Sequence, residues 1–273
     1  MAQHPKGSSA RMTMLRRPLA PVAPYLPAPR WWLATAAVVG LLGVSAFNRP
    51  PCFGSGMAAA VTSAPGAEES PARKIGDDLY QVGKLKVDLK SRTATCSGKV
   101  NMDRSTIEYL AVAPGGKLHE SVLSLDVRPL HLQIGLILLG LEPKGGIDVQ
   151  GDEKPPQGSP VDVFVSWKRD GRSVKVHAED LVWDLERKRP LQRGPWIFSG
   201  SIVRDGQFVA DEELSLIATY RDPAAIVNNG LPGGTDDSLY KVNERICPKF
   251  ETPVTVTFAP RPAGAAKTAS GSR

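Results

Sequence analysis

The chain has 273 residues and a formal net charge of +6. The basic excess is confined to residues 1–67, which contain six Lys and Arg side chains and no Asp or Glu. The rest of the chain is therefore electrically balanced and has no net field to attract a phosphate backbone. This distribution excludes nucleic-acid binding driven by overall charge, and we expect no nucleic-acid partner.

An uncharged apolar segment at residues 31–47 follows a basic leader at residues 1–30. As a helix the segment would be about 25 Å long, near the lower limit for crossing a bilayer. More positive charge precedes it than follows it, which predicts that the leader stays cytoplasmic and the remainder is exported. Two alternatives stay open for residues 31–47: a signal-anchor retained in the membrane, or a cleaved signal peptide.

The predicted location is therefore the cell envelope. A retained anchor would leave the protein in the inner membrane facing the periplasm, and cleavage would make it periplasmic or secreted. Residues 48–75 are rich in Pro, Ala, Gly and Ser and are predicted to form a flexible stem. Residues 261–273 have a similar composition and are predicted to be a disordered tail. Residues 76–260 remain as the folded domain.

Two cysteines, Cys96 and Cys247, lie inside this domain. In an oxidising compartment a disulfide between them would close a loop of about 150 residues and stabilise the fold by about 2–4 kcal/mol. The sequence leaves two alternatives open, this disulfide or two buried free thiols. The chain has no CxxC spacing, P-loop or dinucleotide fingerprint, so we predict no structural metal site and no cofactor.

Alternating apolar and polar residues, separated by turn signals, predict a mainly β domain. The predicted elements are a strand at 85–89, a hairpin joining 106–113 to 118–125, a hairpin turning at 169–172, a hairpin turning at Asp205-Gly206, and a closing strand at 252–258. The predicted class is mainly β (α+β): an antiparallel sheet or sandwich with one buried helix, preceded by the single N-terminal apolar helix.

Residues 129–141 break the alternation. They begin with Pro129, reach Gly140 near their end and are apolar nearly all round, which predicts a buried helix packed on the sheet. Residues 221–245 are predicted to be a long loop with a short helix at 222–228. Long loops inside compact domains are often functional.

The string Gly116-Lys117-Leu118-His119-Glu120-Ser121 and the segment Trp196-Ile197-Phe198-Ser199-Gly200-Ser201 resemble the YdjY-like proteins of bacteria. The likeness extends over about residues 83–259 and includes the apolar helix, with His131 and Gly140, and the closing strand. The resemblance implies a shared exported domain. It implies no reaction and transfers no catalytic residue.

Candidate site residues surround the first predicted hairpin. A two-residue turn there would place His119, Ser121 and Glu108 on one face and Glu120 on the other. A histidine, a hydroxyl and a carboxylate on one face suit a hydrolase, so these three are the catalytic candidates. Neighbouring positions on one strand place His119 and Ser121 about 6.5–7 Å apart, which favours a structural polar cluster instead.

Ligand-binding candidates are Lys117, Glu120 and His131. His131 would begin the predicted helix and could meet His119 in a two-histidine site if the helix crosses the hairpin. Two functions follow. The first is a non-enzymatic binding or accessory module of the envelope, held to the membrane by its N-terminal segment and contacting an envelope protein or small ligand. The second is an envelope enzyme or metal-dependent protein centred on His119.

Overall fold

The computed structural model describes residues 71–262, which form a mainly β domain. Its strands are β1 Ala72–Gly76, β2 Leu79–Val82, β3 Leu85–Asp88, β4 Thr93–Val100, β5 Tyr109–Val112, β6 Ser121–Leu125, β7 Ser159–Arg169, β8 Arg172–His177, β9 Val182–Asp184, β10 Arg189–Pro190, β11 Trp196–Phe198, β12 Val203–Arg204, β13 Gln207–Phe208, β14 Ser215–Ala218, β15 Val227–Asn229, β16 Tyr240–Val242 and β17 Pro253–Pro260. The helices are α1 Pro129–Leu138 and α2 Val209–Glu213, with 3₁₀ turns at Leu118–Glu120, Ala178–Leu181 and Pro232–Thr235.

Eight strands close into a barrel-like sheet in the order β4, β17, β7, β11, β15, β14, β5, β6 and back to β4. The ring closes because the second half of β4 pairs with β6, while its first half pairs with β3. β7 divides in the same way, between β11 at its start and β8 over the rest. The mainly β class is confirmed, and the sheet is a closed ring whose strand pairs are antiparallel except β5–β6 and β14–β15.

Apolar residues at alternate positions fill the ring. In β7, Val161, Val163 and Val165 are buried, and their β17 counterparts Val256 and Phe258 are also buried. The intervening residues of β7 are partly exposed. This period of two places one face of each strand inward. Burying each such side chain contributes about 1.5–3 kcal/mol, so the alternation predicted from sequence also drives the closure.

Two predicted turns are confirmed. Arg169 pairs with Arg172 across Asp170 and Gly171, which have φ values of 50° and 75°. Positive φ at both central residues is the two-residue turn that matches the twist of antiparallel strands. Asp205-Gly206 forms a similar turn, but its strands β12 and β13 have two residues each and form a separate small sheet. The sequence pattern predicts longer strands on either side of this turn, at 196–203 and 207–220. That extent is wrong, because β11 ends at Phe198 as a member of the ring.

The first predicted hairpin is wrong. β5 and β6 are adjacent but parallel, with Tyr109 opposite Ser121 and Val112 opposite Ser124. The chain leaves β5 at Val112 and returns through residues 113–120 to the level where β5 began. We call residues 113–120 the return loop. The glycines of this loop suit a hairpin turn equally well, so local sequence did not distinguish the two paths.

Helix α1 begins at Pro129 as predicted, and Gly140 beyond its end has a φ of 79°. Its first turn is capped from α2, because Asp211 accepts a hydrogen bond from the Leu130 amide at 2.9 Å. Gly135 allows close packing, since a Cβ there would lie 2.2 Å from a methyl group of Leu85. The prediction of complete burial is wrong: Ile137 is 48% exposed, although α1 packs against β2, β3, β14 and α2.

The segment 221–245 differs from its prediction. No helix forms at 222–228, and β15, a 3₁₀ turn and β16 occupy much of the range. Buried Arg221 fixes its start by donating to five backbone carbonyls, those of Asp152, Glu153, Lys154, Asn229 and Leu231. These bonds satisfy backbone carbonyls of the loop at 152–154 and of the chain at Asn229 and Leu231.

The leader at 1–30, the apolar segment at 31–47 and most of the predicted stem lie outside the described residues. β1 begins at Ala72, within the range predicted as stem. Arg261, the first residue of the predicted tail, binds Asp162 at 2.7 Å. In the part of the chain from 71 to 262, neither helix has the length and apolar character needed to cross a bilayer.

Candidate functional site

The return loop carries the string Gly116-Lys117-Leu118-His119-Glu120-Ser121. Gly116 permits its close approach to the domain, since a Cβ there would lie 3.1 Å from the Cβ atoms of Val112 and Leu214. The loop then forms a 3₁₀ turn at Leu118–Glu120, and β6 starts only at Ser121. Asn101 holds this turn by donating its side-chain amide to the carbonyls of Leu118 and Ser121.

Lys117 points into the domain. Its Nζ donates to the Tyr109 hydroxyl at 2.8 Å and to Glu213 at 2.9 Å, and lies 3.7 Å from Asp222. Burial alone would lower the pKa of Lys117, but the hydrogen bond to Glu213 and the charge of Asp222 outweigh it and raise the pKa. The ammonium group is thereby held charged, and it ties the loop to β5, α2 and the segment after β14.

Tyr109 and Asp222 complete this buried network. The Tyr109 hydroxyl donates to Asp222 at 2.6 Å, and the other oxygen of that carboxylate accepts the Ala224 amide at 2.9 Å. Burial, followed by the charge of Asp222, raises the pKa of Tyr109 far above its ordinary value. A tyrosine that donates to a carboxylate and accepts from an ammonium holds its proton, so this group is suited to bracing the loop.

Ser121 is fully buried. Its hydroxyl donates to the Lys117 carbonyl at 2.6 Å, which closes the turn on itself. A substrate arriving from solvent has no access to this oxygen. The predicted face shared by Ser121 and His119 is therefore wrong, because it rested on an antiparallel hairpin that does not form.

His119 lies at the surface of the loop, and Glu120 lies partly buried beside it. The His119 side chain is 80% exposed, and its Nε2 is 3.4 Å from a carboxylate oxygen of Glu120. The sequence placed these neighbours on opposite faces of a strand. They meet because they belong to a 3₁₀ turn, in which successive side chains do not alternate by 180°.

Glu108 lies beside His119 and Glu120. Its backbone amide donates to the Glu120 carbonyl at 3.0 Å, and its carboxylate accepts from Gln150 at 3.2 Å. Burial raises the pKa of Glu108, and the negative charges of Glu120 and Asp237 add to the rise. The structure therefore brings Glu108, His119 and Glu120 to one surface, with Lys117 beneath it.

His131 lies in a different environment. A Cβ at Gly83 would lie 2.0 Å from its Nδ1, so the ring packs directly on that turn. It lines a cavity of about 300 Å³ together with Lys84, Asp126 and Arg128. Burial, and then the charge of Arg128, lower the pKa of His131. Among residues 71–262 no group of three or more His, Cys, Asp or Glu residues is arranged to hold a metal ion.

Cys96 and Cys247 are both buried and both free. Burial raises the pKa of each thiol to about 12. The Cys247 thiol donates to the Met102 carbonyl at 3.9 Å. Of the two alternatives left open by the sequence, the structure contains the free thiols, which are held protonated and unreactive by burial.

Sequence reasoning missed Tyr109, Glu213 and Asp222, which hold the motif lysine. Tyr109 and Asp222 are 113 positions apart along the chain, so no local spacing connects them. The one available signal was the long segment beginning at 221, which was singled out as functional without naming Asp222. That segment supplies the carboxylate at the centre of the network.

The fold and the motif agree with one sequence comparison. A profile of the YdjY domain matches residues 85–259, which include seven strands of the closed ring in full and β17 up to its last residue but one. No curated protein and no solved structure matches the chain. The matched range is most of the chain and agrees with the motif strings identified above. The chain belongs to the YdjY domain family.

Proposed function

We propose that this protein is a non-enzymatic binding or accessory module of the cell envelope, whose contact surface is the exposed part of the return loop. Residues 31–47 deliver it across the inner membrane, either as a retained anchor or as a cleaved signal peptide. The observation that carries the proposal is the difference in burial and bonding among the residues of the motif. Ser121 is buried and Lys117 is held by Tyr109 and Glu213, so both brace the loop, while the His119 side chain is 80% exposed to solvent.

A braced loop suits recognition better than catalysis. The candidate nucleophile Ser121 is sealed, and its hydroxyl is engaged by a backbone carbonyl instead of a histidine. Nucleophilic catalysis needs the hydroxyl and its base within hydrogen-bond reach at an accessible surface. Binding needs a surface whose conformation is already fixed, and the bonds from Lys117 and Asn101 provide that.

One observation favours the alternative, an envelope enzyme or metal-dependent protein centred on His119. Glu108 has a raised pKa and lies at the same surface as His119 and Glu120. A carboxyl group with a raised pKa beside a histidine is a known arrangement for proton transfer. In this alternative Glu108 and His119 would exchange protons with a substrate bound above the loop, and Ser121 would have no chemical role.

Location is tested with alkaline phosphatase fused to the C-terminus, since this reporter gains activity only in an oxidising compartment. The full chain is expected to give active reporter, and a chain lacking residues 31–47 is expected to give none. An inactive reporter on the full chain would contradict export. Activity without residues 31–47 would contradict the role of that segment.

The binding function is tested by placing a photo-crosslinking residue at position 119 of the full chain in living cells, with position 203 as the matched control. Val203 is 67% exposed and lies on the β12–β13 hairpin. A discrete adduct from position 119 that is absent from position 203 supports the proposal, and no adduct from 119 contradicts it. Stoichiometric metal in the purified chain that is lost in His119→Ala would support the alternative instead.

A further inference from the structure

A small cavity lies at the other motif segment, beyond the end of β11. Its volume is about 210 Å³, and it lies between α1, the loop around Pro143 and the segment Ser199-Gly200-Ser201. Cavities for drug-sized ligands have roughly 300–1,000 Å³, so this one admits a small molecule or the terminal group of a larger one. None of its lining residues carries an ionisable side chain.

The walls of this cavity are fixed by backbone bonds. The Gly145 amide donates to the Ser199 carbonyl at 2.8 Å, and the Gly200 amide donates to the Ile226 carbonyl at 3.0 Å. Gly200 has a φ of 72°, and a Cβ there would lie 2.6 Å from that of Pro143. Only glycine fits this position, and the cavity is therefore already formed in the free protein.

The polar groups facing the cavity are left with hydrogen-bond protons to donate. Ser199 is 3% exposed; its Oγ accepts from Asn228 at 3.0 Å, and its own proton has no acceptor within residues 71–262. Ser201 accepts the Ala210 amide at 3.1 Å and likewise retains its proton. Gln133 uses its Oε1 to accept the Ser201 amide at 3.3 Å, which leaves its NH₂ group unpaired in the described domain. Three side chains that each keep one donor unused by the described domain thus line one small space, with Ser199 buried and with Ser201 and Gln133 partly exposed.

The chemistry of the lining selects the ligand. Spare donors are best matched by a ligand that carries a hydrogen-bond acceptor, and without an anionic side chain in the lining a cation is disfavoured. A carboxylate would lose its hydration without meeting a positive charge, which is costly. Pro143, Ile147 and Pro223 supply apolar walls that suit a methyl group. We propose that this cavity binds a small neutral amide, with the carbonyl oxygen accepting from Gln133 and Ser199, the amide N–H donating to the remaining lone pair of the Ser201 hydroxyl oxygen, and the methyl groups against the prolines and Ile147.

The probe for this site is N-methylacetamide, titrated against the purified full chain and followed by saturation-transfer NMR of the ligand. A ligand of this size is expected to bind with a dissociation constant on the order of millimolar. Acetate and methylammonium serve as charged comparators and are expected to bind more weakly. Equal or tighter binding of either comparator would overturn the assignment of a neutral acceptor.

Two variants test whether the ligand binds in the cavity. Gln133→Glu keeps an acceptor for the Ser201 amide but replaces the NH₂ donor with a second oxygen, so amide affinity should fall by about tenfold or more. Ser199→Ala removes a donor and leaves Asn228 paired with the carbonyls of Asp222 and Ala225, and it should weaken binding severalfold. Gln192→Glu, an exposed position outside the lining, is the charge-matched control and should bind as the parent does.

Absence of saturable amide binding, or binding unchanged in Gln133→Glu, would overturn the proposal. The melting temperature of each variant is recorded first. If Gln133→Glu is poorly folded, Ser199→Ala decides alone, and unchanged affinity in that variant then counts against the site. The result is independent of where the protein resides, so it does not depend on the proposed function.

Discussion

Two connections in this domain are held in place by different means. The turn between β7 and β8 is fixed by its own backbone: Asp170 and Gly171 have positive φ values, and a Cβ on Gly171 would meet no atom within 4 Å. The return loop between β5 and β6 is fixed by distant side chains, chiefly Asp222 and Glu213 acting on Lys117. The first is a local structure, and the second exists only when the whole ring has closed.

Because of this difference, substitutions in the two regions should affect stability in different ways. Substitutions in the β7–β8 turn should affect only the strain of two residues. Substitutions in the network beneath the return loop should leave buried charges or hydroxyls without partners, which is costlier. The return loop therefore depends on the tertiary structure for its shape, and the surface that it presents is as rigid as the network below it.

Removing the Asp222 carboxylate should have the largest effect. Asp222→Ala deprives the Tyr109 hydroxyl of its acceptor and removes one of the two negative charges near Lys117. We expect the free energy of unfolding to fall by about 3 kcal/mol, because buried partners are left unpaired. Denaturant unfolding of the purified chain, followed by tryptophan fluorescence, measures this change. Asp77→Ala, at an exposed position, is the control and should change the value by less than about 0.5 kcal/mol.

Disturbing the β7–β8 turn should have a smaller effect. Gly171→Ala forces an alanine into a φ of 75°, and we expect a loss of about 1.5 kcal/mol. Gly76→Ala is the matched control, since Gly76 lacks a positive φ and the added methyl makes an ordinary 3.4 Å contact with Leu79. If Gly171→Ala proved more damaging than Asp222→Ala, the contrast between a local turn and a tertiary loop would be wrong.

The same contrast explains which parts of the fold could be predicted from sequence. Strand β7, the turn at 169–172 and strand β17 follow from alternation and from an Asp-Gly pair, which act over a few residues. The parallel pairing of β5 with β6 does not follow from local sequence. It depends on the ring as a whole, in which β14 pairs with β5 and β4 pairs with β6. Local turn chemistry at 114–117 is compatible with either path.

The geometry around the candidate residues differs from the predicted one. Glu120 lies beside His119 and near Glu108, whereas the predicted hairpin puts it on the opposite face. The predicted alternation puts Ser121 on the same face as His119, but the strand begins at Ser121, three residues later than the predicted start at 118 and after the 3₁₀ turn. Asp222 could not be found, because its partner Tyr109 lies 113 positions away.

Within the return loop, substituting a buried motif residue should lower the free energy of unfolding more than substituting an exposed one. Ser121→Ala removes a buried hydroxyl that donates to the Lys117 carbonyl, and it should lower the free energy of unfolding by about 1 kcal/mol. His119→Ala removes a side chain that is 80% exposed and should change it by less than about 0.5 kcal/mol. Thermal and denaturant unfolding of both variants test this. A larger loss in His119→Ala than in Ser121→Ala would mean that His119 braces the loop and is not free to contact a partner.

The smallest effect concerns the charge of Glu108 and depends on pH. Burial and neighbouring carboxylates raise the pKa of this residue above its ordinary value of 4.5 in the folded protein. Between 4.5 and the raised pKa the folded state binds more protons than the unfolded state, so the free energy of unfolding falls as pH rises through that interval. Ionised Glu108 therefore costs stability at neutral pH, in contrast to the ion pairs of the network below.

Glu108→Gln should remove that cost while keeping an oxygen to accept from Gln150. We expect the free energy of unfolding to rise by about 0.5 kcal/mol at pH 7, a modest gain because the site is partly solvated. The gain should vanish below pH 4.5, where Glu108 is protonated in both states. Denaturant unfolding at a series of pH values measures it, with the exposed Glu153→Gln as control. A gain that persists at low pH would show that the variant is stabilised by packing and not by the loss of the Glu108 charge. The negative charges around Glu108 would then repel it less than the geometry indicates.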